Sequence, residues 1–200
     1  LLFGLAAAQP VTAQSFAAPQ INPFGLAATG YIGIPTLVDI DGDGDLDVFN
    51  GQEYGDKLYY KNVGTASSPQ FTAAVTNPFG ILPNAYSYNF VFADLDNDGD
   101  LDGLMGEYGG NTRYFQNTGT AIAPQFAAGV QNPFGLTAVN TIAIPIFGDL
   151  DNDGDFDIMV GEYYGAIKYF QNTGTATVPQ FAAAVTNPFG LSSLTEWHLP

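Results

Sequence analysis

Asp94-Leu-Asp-Asn-Asp-Gly-Asp-Leu-Asp102 decides how this chain is read, because the pattern is written three times. The other copies are Asp39-Ile-Asp-Gly-Asp-Gly-Asp-Leu-Asp47 and Asp149-Leu-Asp-Asn-Asp-Gly-Asp-Phe-Asp157. Carboxylates at every second position repel one another, with no nearby Lys or Arg to offset them. A hard cation that takes six to eight oxygens reverses that penalty, and Ca2+ is the usual one. The glycine at position 6 (Gly44, Gly99, Gly154) lets the backbone turn sharply around an ion. Side-chain oxygens are expected from positions 1, 3, 5 and 9, and a backbone carbonyl from position 7. Those residues are Asp39, Asp41, Asp43 and Asp47 with Asp45; Asp94, Asp96, Asp98 and Asp102 with Asp100; and Asp149, Asp151, Asp153 and Asp157 with Asp155.

An EF-hand does not fit. It needs a bidentate Glu at position 12 and a helix on each side. Position 12 is Asn50, Met105 or Val160, and the flanks (Pro35-Thr-Leu-Val38, Val48-Phe49) are short, apolar and rich in strand formers. The sequence predicts a calcium loop between two strands.

Composition narrows the rest. The chain has 200 residues, 46% hydrophobic and 12% charged, which suits one sizeable folded core. The formal net charge is −16, but the three loops hold fifteen of the twenty acids, and the other five nearly balance the four bases. The acidity is therefore local, and it argues against nucleic acid or an anionic membrane as partner. No membrane span is expected. The absence of cysteine excludes disulfides and thiolate metal sites. Low-affinity acidic calcium loops suit the outside of a cell, where Ca2+ is millimolar. The expected location is secreted or at the cell surface.

Residues 1–14 are apolar, from Leu1-Leu-Phe-Gly-Leu through Val11-Thr-Ala13. They read either as the end of a secretory signal or as an ordered arm packed on this domain or on a neighbouring subunit. From Ser15 the chain repeats. Asp39, Asp94 and Asp149 stand 55 residues apart, as do Asn22, Asn77, Asn132 and Asn187, each of which opens Asn-Pro-Phe-Gly. A constant period of this size signals a solenoid, propeller or linear array. Each period reads as four short strands. In the third copy these are Pro145–Leu150, Phe156–Val160, Ala166–Gln171 and Gln180–Val185, with turns at Asn172-Thr-Gly174 and at Asn-Pro-Phe-Gly. Phe189 is expected to plug the gap between neighbouring sheets. Four strands per unit with periodic Gly and aromatic residues is the pattern of a propeller blade.

The Asp-X-Asp-X-Asp-Gly-Asp-X-Asp loop, the apolar strand after it and an aromatic strand ending in Asn-X-Gly resemble FG-GAP/VCBS-type repeats. These are the calcium-loop blades of integrin α-subunit propellers and of many secreted bacterial proteins. The resemblance covers roughly residues 15–200. It implies an all-β array of propeller-type blades, a structural Ca2+ in each of three loops (39–47, 94–102, 149–157), and roles in adhesion, carbohydrate contact or surface scaffolding. The blade count departs from the pattern, since closed propellers need about four to eight. Three periods and a partial fourth (187–200) cannot close a ring. Either the array continues in a longer chain or its open ends meet other subunits. Same-phase ends invite head-to-tail contact and hence a fibre.

Other residues carry less. Glu53, Glu107 and Glu162 recur before a tyrosine and read best as strand-end caps, with an extra metal ligand or a catalytic acid as the alternative. Tyr59, Tyr114 and Tyr169 read as core rather than as a sugar-stacking stripe. Trp197 and His198 occur once, and a lone His without a Cys or Ser partner is weak ground for catalysis. No enzyme is expected. The expected function is a calcium-stabilised structural repeat that assembles with itself. An adhesion or glycan-binding module from a longer propeller is the alternative.

Overall fold

The apolar segments on either side of each acidic loop pair with each other, so that the loop becomes the link of a β-hairpin. In the computed structural model, which describes residues 17–26, 33–52, 54–82 and 84–193, β1 (Gly33–Val38) and β2 (Asp47–Gln52) run antiparallel from Gly33↔Gln52 to Val38↔Asp47. After the two-residue β3 (Tyr54–Gly55), β4 (Lys57–Tyr60) and β5 (Val75–Thr76) complete a sheet of order β1-β2-β4-β5. The second repeat follows with β6 (Asn84–Ala85), β7 (Ser87–Ala93), β8 (Asp102–Glu107), β9 (Thr112–Phe115) and β10 (Val130–Gln131), ordered β7-β8-β9-β10. The third has β11 (Ala143–Gly148), β12 (Asp157–Glu162), β13 (Ile167–Phe170) and β14 (Val185–Thr186), ordered β11-β12-β13-β14. The short strands β3 and β6 pair outside the main sheets and join the first repeat to the second. The result is three antiparallel four-stranded sheets arranged as tandem propeller-like blades.

The fourth strand of each blade is shorter than the sequence suggests. Of the segment Gln180–Val185 only Val185 enters β14, which ends at Thr186. The reason lies in where its backbone bonds go. The Phe181 N–H donates to the Phe134 carbonyl of the preceding Asn-Pro-Phe-Gly turn at 2.7 Å, as Phe126 does to Phe79 at 2.8 Å. The turn thus takes bonds that a ladder would have used. Within it, Asn and Phe both sit in left-handed backbone conformations, for example Asn77 at φ 50° and Phe79 at φ 57°. Phe79 packs edge-on against Tyr59 of the blade behind it and Phe126 of the blade ahead, with ring centroids at 5.0 and 6.4 Å. It fills the gap between sheets.

The core lies between blades. One cluster (Ile40, Phe49, Tyr59, Ile81, Phe90, Met105, Phe115, Phe126) joins the first and second blades, and another (Leu95, Leu104, Leu136, Ile158, Val160, Phe170, Phe181) joins the second and third. Strand β8 is buried along its whole length, from Asp102 to Glu107, so both of its faces lie inside the molecule. Side chains also bond across blades: Thr36 Oγ1 donates to the Phe90 carbonyl at 2.6 Å, Lys57 Nζ to Ser87 Oγ at 2.5 Å, and Asn89 Nδ2 to the Pro145 carbonyl at 2.8 Å. The sheets approach so closely that a Cβ on Gly51 would lie 1.8 Å from the Tyr88 carbonyl oxygen, and one on Gly106 2.0 Å from that of Ala143. At Gly161, the matching position of the third blade, the nearest atom would be 3.9 Å away.

That third blade presents the same face uncovered. Ile40 and Leu95 are 2% and 3% exposed, whereas their counterpart Leu150 is 44% exposed. Ile81 and Leu136 are likewise buried, whereas Leu191 is 43% and Phe189 70% exposed. The opposite face of the first blade leaves Phe24, Leu37 and Leu46 exposed around an apolar groove of about 370 Å³. Residues 1–16 and 194–200 lie outside the described residues, and with them the apolar arm, Trp197, His198 and the second half of the partial fourth repeat.

Candidate metal centre

Each acidic loop is first organised by its own backbone. The carboxylate at position 1 accepts the N–H groups of positions 5 and 6: Asp39 from Asp43 and Gly44 at 3.1 and 3.0 Å, Asp94 from Asp98 and Gly99 at 3.1 and 3.0 Å, and Asp149 from Asp153 and Gly154 at 3.2 Å each. This curls the chain around its own first residue. Position 6 takes φ values of +92 to +95°, which a side chain would strain and glycine does not. Position 4 is also left-handed, as Gly42, Asn97 and Asn152, the residue types that tolerate it.

The curl gathers the carboxylates of positions 1, 3 and 5. Ligand atoms of Asp39, Asp41 and Asp43 lie within 4.8 Å of one another, and so do those of Asp94, Asp96 and Asp98, and of Asp149, Asp151 and Asp153. Several buried oxygens have no hydrogen-bond donor: Asp41 Oδ1 and Asp96 Oδ1 at position 3, and Asp100 Oδ1 and Asp155 Oδ1 at position 7. Asp100 is only 9% exposed. A buried carboxylate oxygen without a donor is costly unless a cation meets it. The donor set is all oxygen and anionic, so each triplet can hold a metal ion and is compatible with Ca2+. Burial first, then the charges of Asp98 and Asp96, raises the pKa of Asp100, and burial does most of the same at Asp155.

Position 9 has a different setting from its neighbours. Asp47, Asp102 and Asp157 are fully buried and stand outside the gathered triplets. One oxygen of each accepts the hydroxyl of Tyr59, Tyr114 or Tyr169 at 2.9, 2.8 and 2.8 Å. The other accepts the backbone N–H of Asn62, Asn117 or Asn172 at 2.7, 2.8 and 2.8 Å. The Asn side chain then accepts the N–H of the glycine two residues on, at 3.0 Å in all three blades. Position 9 is therefore the buried anchor that ties each loop to its third strand and to the Asn-X-Gly turn. Burial pushes the Asp102 carboxyl up to about 6 against the two hydrogen bonds that favour its anion, and raises Asp47 for the same reason. The three tyrosines lie in the core, their hydroxyls held protonated by burial and by the aspartate they face.

One expectation is overturned. A base does reach the first loop: Lys61 Nζ is paired with Asp41 and lies 3.2 Å from Asp43 Oδ2. Twenty residues separate Lys61 from Asp41 in sequence, but the chain leaving β4 runs back beside the loop. In the other blades the matching residue is glutamine, with Gln116 Nε2 donating to Asp96 Oδ2 at 2.9 Å and Gln171 Nε2 to Asp151 Oδ2 at 2.7 Å.

The recurring glutamates stand at strand ends. Glu107 pairs with Arg113 at 2.5 Å, and Glu162 lies 3.5 Å from Lys168. Glu53 lies outside the described residues, and its neighbour Gln52 holds the ladder position that Glu162 holds in the third blade.

With this geometry in place, the family model of the FG-GAP-like repeat matches residues 39–105, from the start of the first acidic loop to the strand after the second. That segment carries an FG-GAP-type repeat. No curated protein matches the chain. No helix among the described residues is long and apolar enough to cross a membrane.

Proposed function

We propose that the protein is an extracellular, calcium-stabilised structural repeat that assembles with copies of itself, the third blade of one copy covering the first blade of the next. The observation that carries this reading is the exposed outer face of the third blade. It repeats, residue for residue, the face that inside the molecule is covered by another blade. Leu150 and Leu191 stand uncovered where Ile40, Leu95, Ile81 and Leu136 are buried. The partner such a face fits is another blade of the same kind, and the first blade offers Phe24, Leu37 and Leu46 around an apolar groove. Contacts of this type run head to tail and generate a fibre unless the rotation closes a ring.

The loops supply stability, not turnover. With Ca2+ at ten times Kd each site would add about 1.4 kcal/mol, and three sites about 4 kcal/mol, a large part of the 5–15 typical of a domain. The resemblance to FG-GAP repeats and the affinity range of open acidic loops support an extracellular location.

The test is the mass and shape of native particles, by electron microscopy and light scattering, with and without a calcium chelator. Long regular particles that dissociate on chelation are expected. The variant Gly161→Ala adds a methyl group where an incoming blade would bring its backbone, so it should shrink the particles and leave the subunit's own melting unchanged. Discrete monomers at every concentration would reject self-assembly. They would favour the second reading, a glycan-contacting module. Two exposed aromatic pairs support that reading, Tyr86 with Tyr108 at 6.0 Å and Tyr163 with Tyr164 at 5.2 Å.

A further inference from the structure

The three acidic loops repeat in sequence and geometry, and one side chain separates the first from the others. The position after the third strand is Lys61 in the first blade and Gln116 and Gln171 in the next two. All three side chains contact the position-3 aspartate, but they do different electrostatic work. A glutamine amide donates a hydrogen bond and leaves the carboxylate's charge in place. The Lys61 ammonium cancels one of the loop's five negative charges and lies against two of the three gathered carboxylates.

We infer that Lys61 is a tethered counter-cation: it holds the first loop folded without metal and makes it the weaker of the first two sites for a divalent cation. This rests on the metal-binding reading above. Those two loops match at positions 1, 3 and 5. Positions 1 and 3 are half-buried and position 5 exposed in both, both keep the position-1 hydrogen bonds at the same lengths, and both hold an unpartnered position-3 oxygen. Two things differ: the positive charge of Lys61, and position 7, where the second loop has the buried, unpartnered Asp100 Oδ1 and Asp45 of the first loop is half-buried. The Lys61→Gln variant is therefore what isolates the charge. A divalent ion entering the first loop must displace the ammonium from Asp41 and Asp43 or bind beside it. Either course weakens binding by about tenfold for one partly exposed charge at this range. Lys61 itself is 40% exposed in its side chain, so it can swing into water. The first site is thus weakened but still open to metal.

The experiment follows the amide resonances of Gly44 and Gly99 during a titration of the metal-free protein with CaCl2. Each glycine donates to the first aspartate of its own loop, so the two loops report separately. The midpoint for Gly44 is expected at about tenfold higher Ca2+ than that for Gly99. Lys61→Gln should bring the two midpoints together, and the reciprocal Gln116→Lys should raise the Gly99 midpoint. In excess chelator, amide exchange should be slower in loop 39–47 than in loop 94–102, and Lys61→Gln should erase that difference. Equal midpoints in the unaltered protein, or a Gly44 midpoint that does not move in Lys61→Gln, would overturn the role of Lys61 alone. No response of either glycine at millimolar Ca2+ would overturn the metal reading and, with it, the ranking of the two sites. The chelator exchange experiment would still judge the ammonium as a folding element.

Discussion

The middle blade and the third blade have nearly the same sequence pattern and meet different surroundings. The middle one is covered on both faces, so Leu95 and Leu136 are buried and Gly106 lies against the Ala143 carbonyl. In the third blade the equivalent Leu150 and Leu191 reach solvent, and Gly161 has room for a side chain. The contrast teaches that a blade's stability resides mainly in its junction with the next. A single sheet of this kind has too little core of its own, as in other repeat architectures.

Glycine substitutions sharpen this contrast most. Gly106→Ala drives a methyl group into a backbone carbonyl and should cost about 3 kcal/mol or more, whereas Gly161→Ala should stay within about 0.5 kcal/mol, both read from chemical denaturation. Equal effects would mean that the third face is covered even in the isolated subunit. Truncating the leucines comes next: Leu95→Ala should cost about 2–3 kcal/mol and Leu150→Ala less than about 1 kcal/mol in dilute solution. Raising the protein concentration should increase the cost of Leu150→Ala if copies cover that face. Smaller again is Tyr114→Phe, which removes one of the two donors to buried Asp102 and should cost about 1.5 kcal/mol in thermal melts.

The smallest effect is on pH dependence and separates metal-free from metal-bound blades. The folded-state pKa of Asp102 is raised to about 6, above its unfolded value, so its charge opposes folding above pH 6, and the penalty fades as pH falls from there. Asp47, Asp100 and Asp155 shift in the same direction. In excess chelator, melting temperature should therefore rise modestly from pH 7 to 5. With saturating Ca2+ the trend should reverse, because protons then compete with the ion. The same slope under both conditions would contradict a metal in the loops.

Much of the fold was legible because the repeat is strict. The constant 55-residue step placed the hairpin loops and the second and third strands. The inter-sheet role expected of Phe189 is filled by its counterpart Phe79, whereas Phe189 packs on Tyr169 and is otherwise exposed because no described blade follows it. The fourth strand was overextended, because nothing in Gln180–Val185 announces that the Phe181 amide bonds to a turn one blade earlier. Within the loops, positions 1, 3 and 5 converge as the alternation suggests. The anchoring of position 9 was missed, although its signal was present: every Asp47-type residue has a tyrosine twelve and an asparagine fifteen residues later. Lys61 was missed for a simpler reason, that spacing along the chain says little about which residues a returning strand brings together.

The Asn-Pro-Phe-Gly turn has a mechanical consequence. Its asparagine grips the blade behind, as when Asn77 Oδ1 accepts the Lys57 N–H at 2.9 Å, and its phenylalanine carbonyl grips the blade ahead. Tension along the array would load these clasps one after another, as links in series. Such a chain yields at its weakest junction, and a blade that loses its neighbour there loses most of its core with it, so the array comes apart in whole-blade steps.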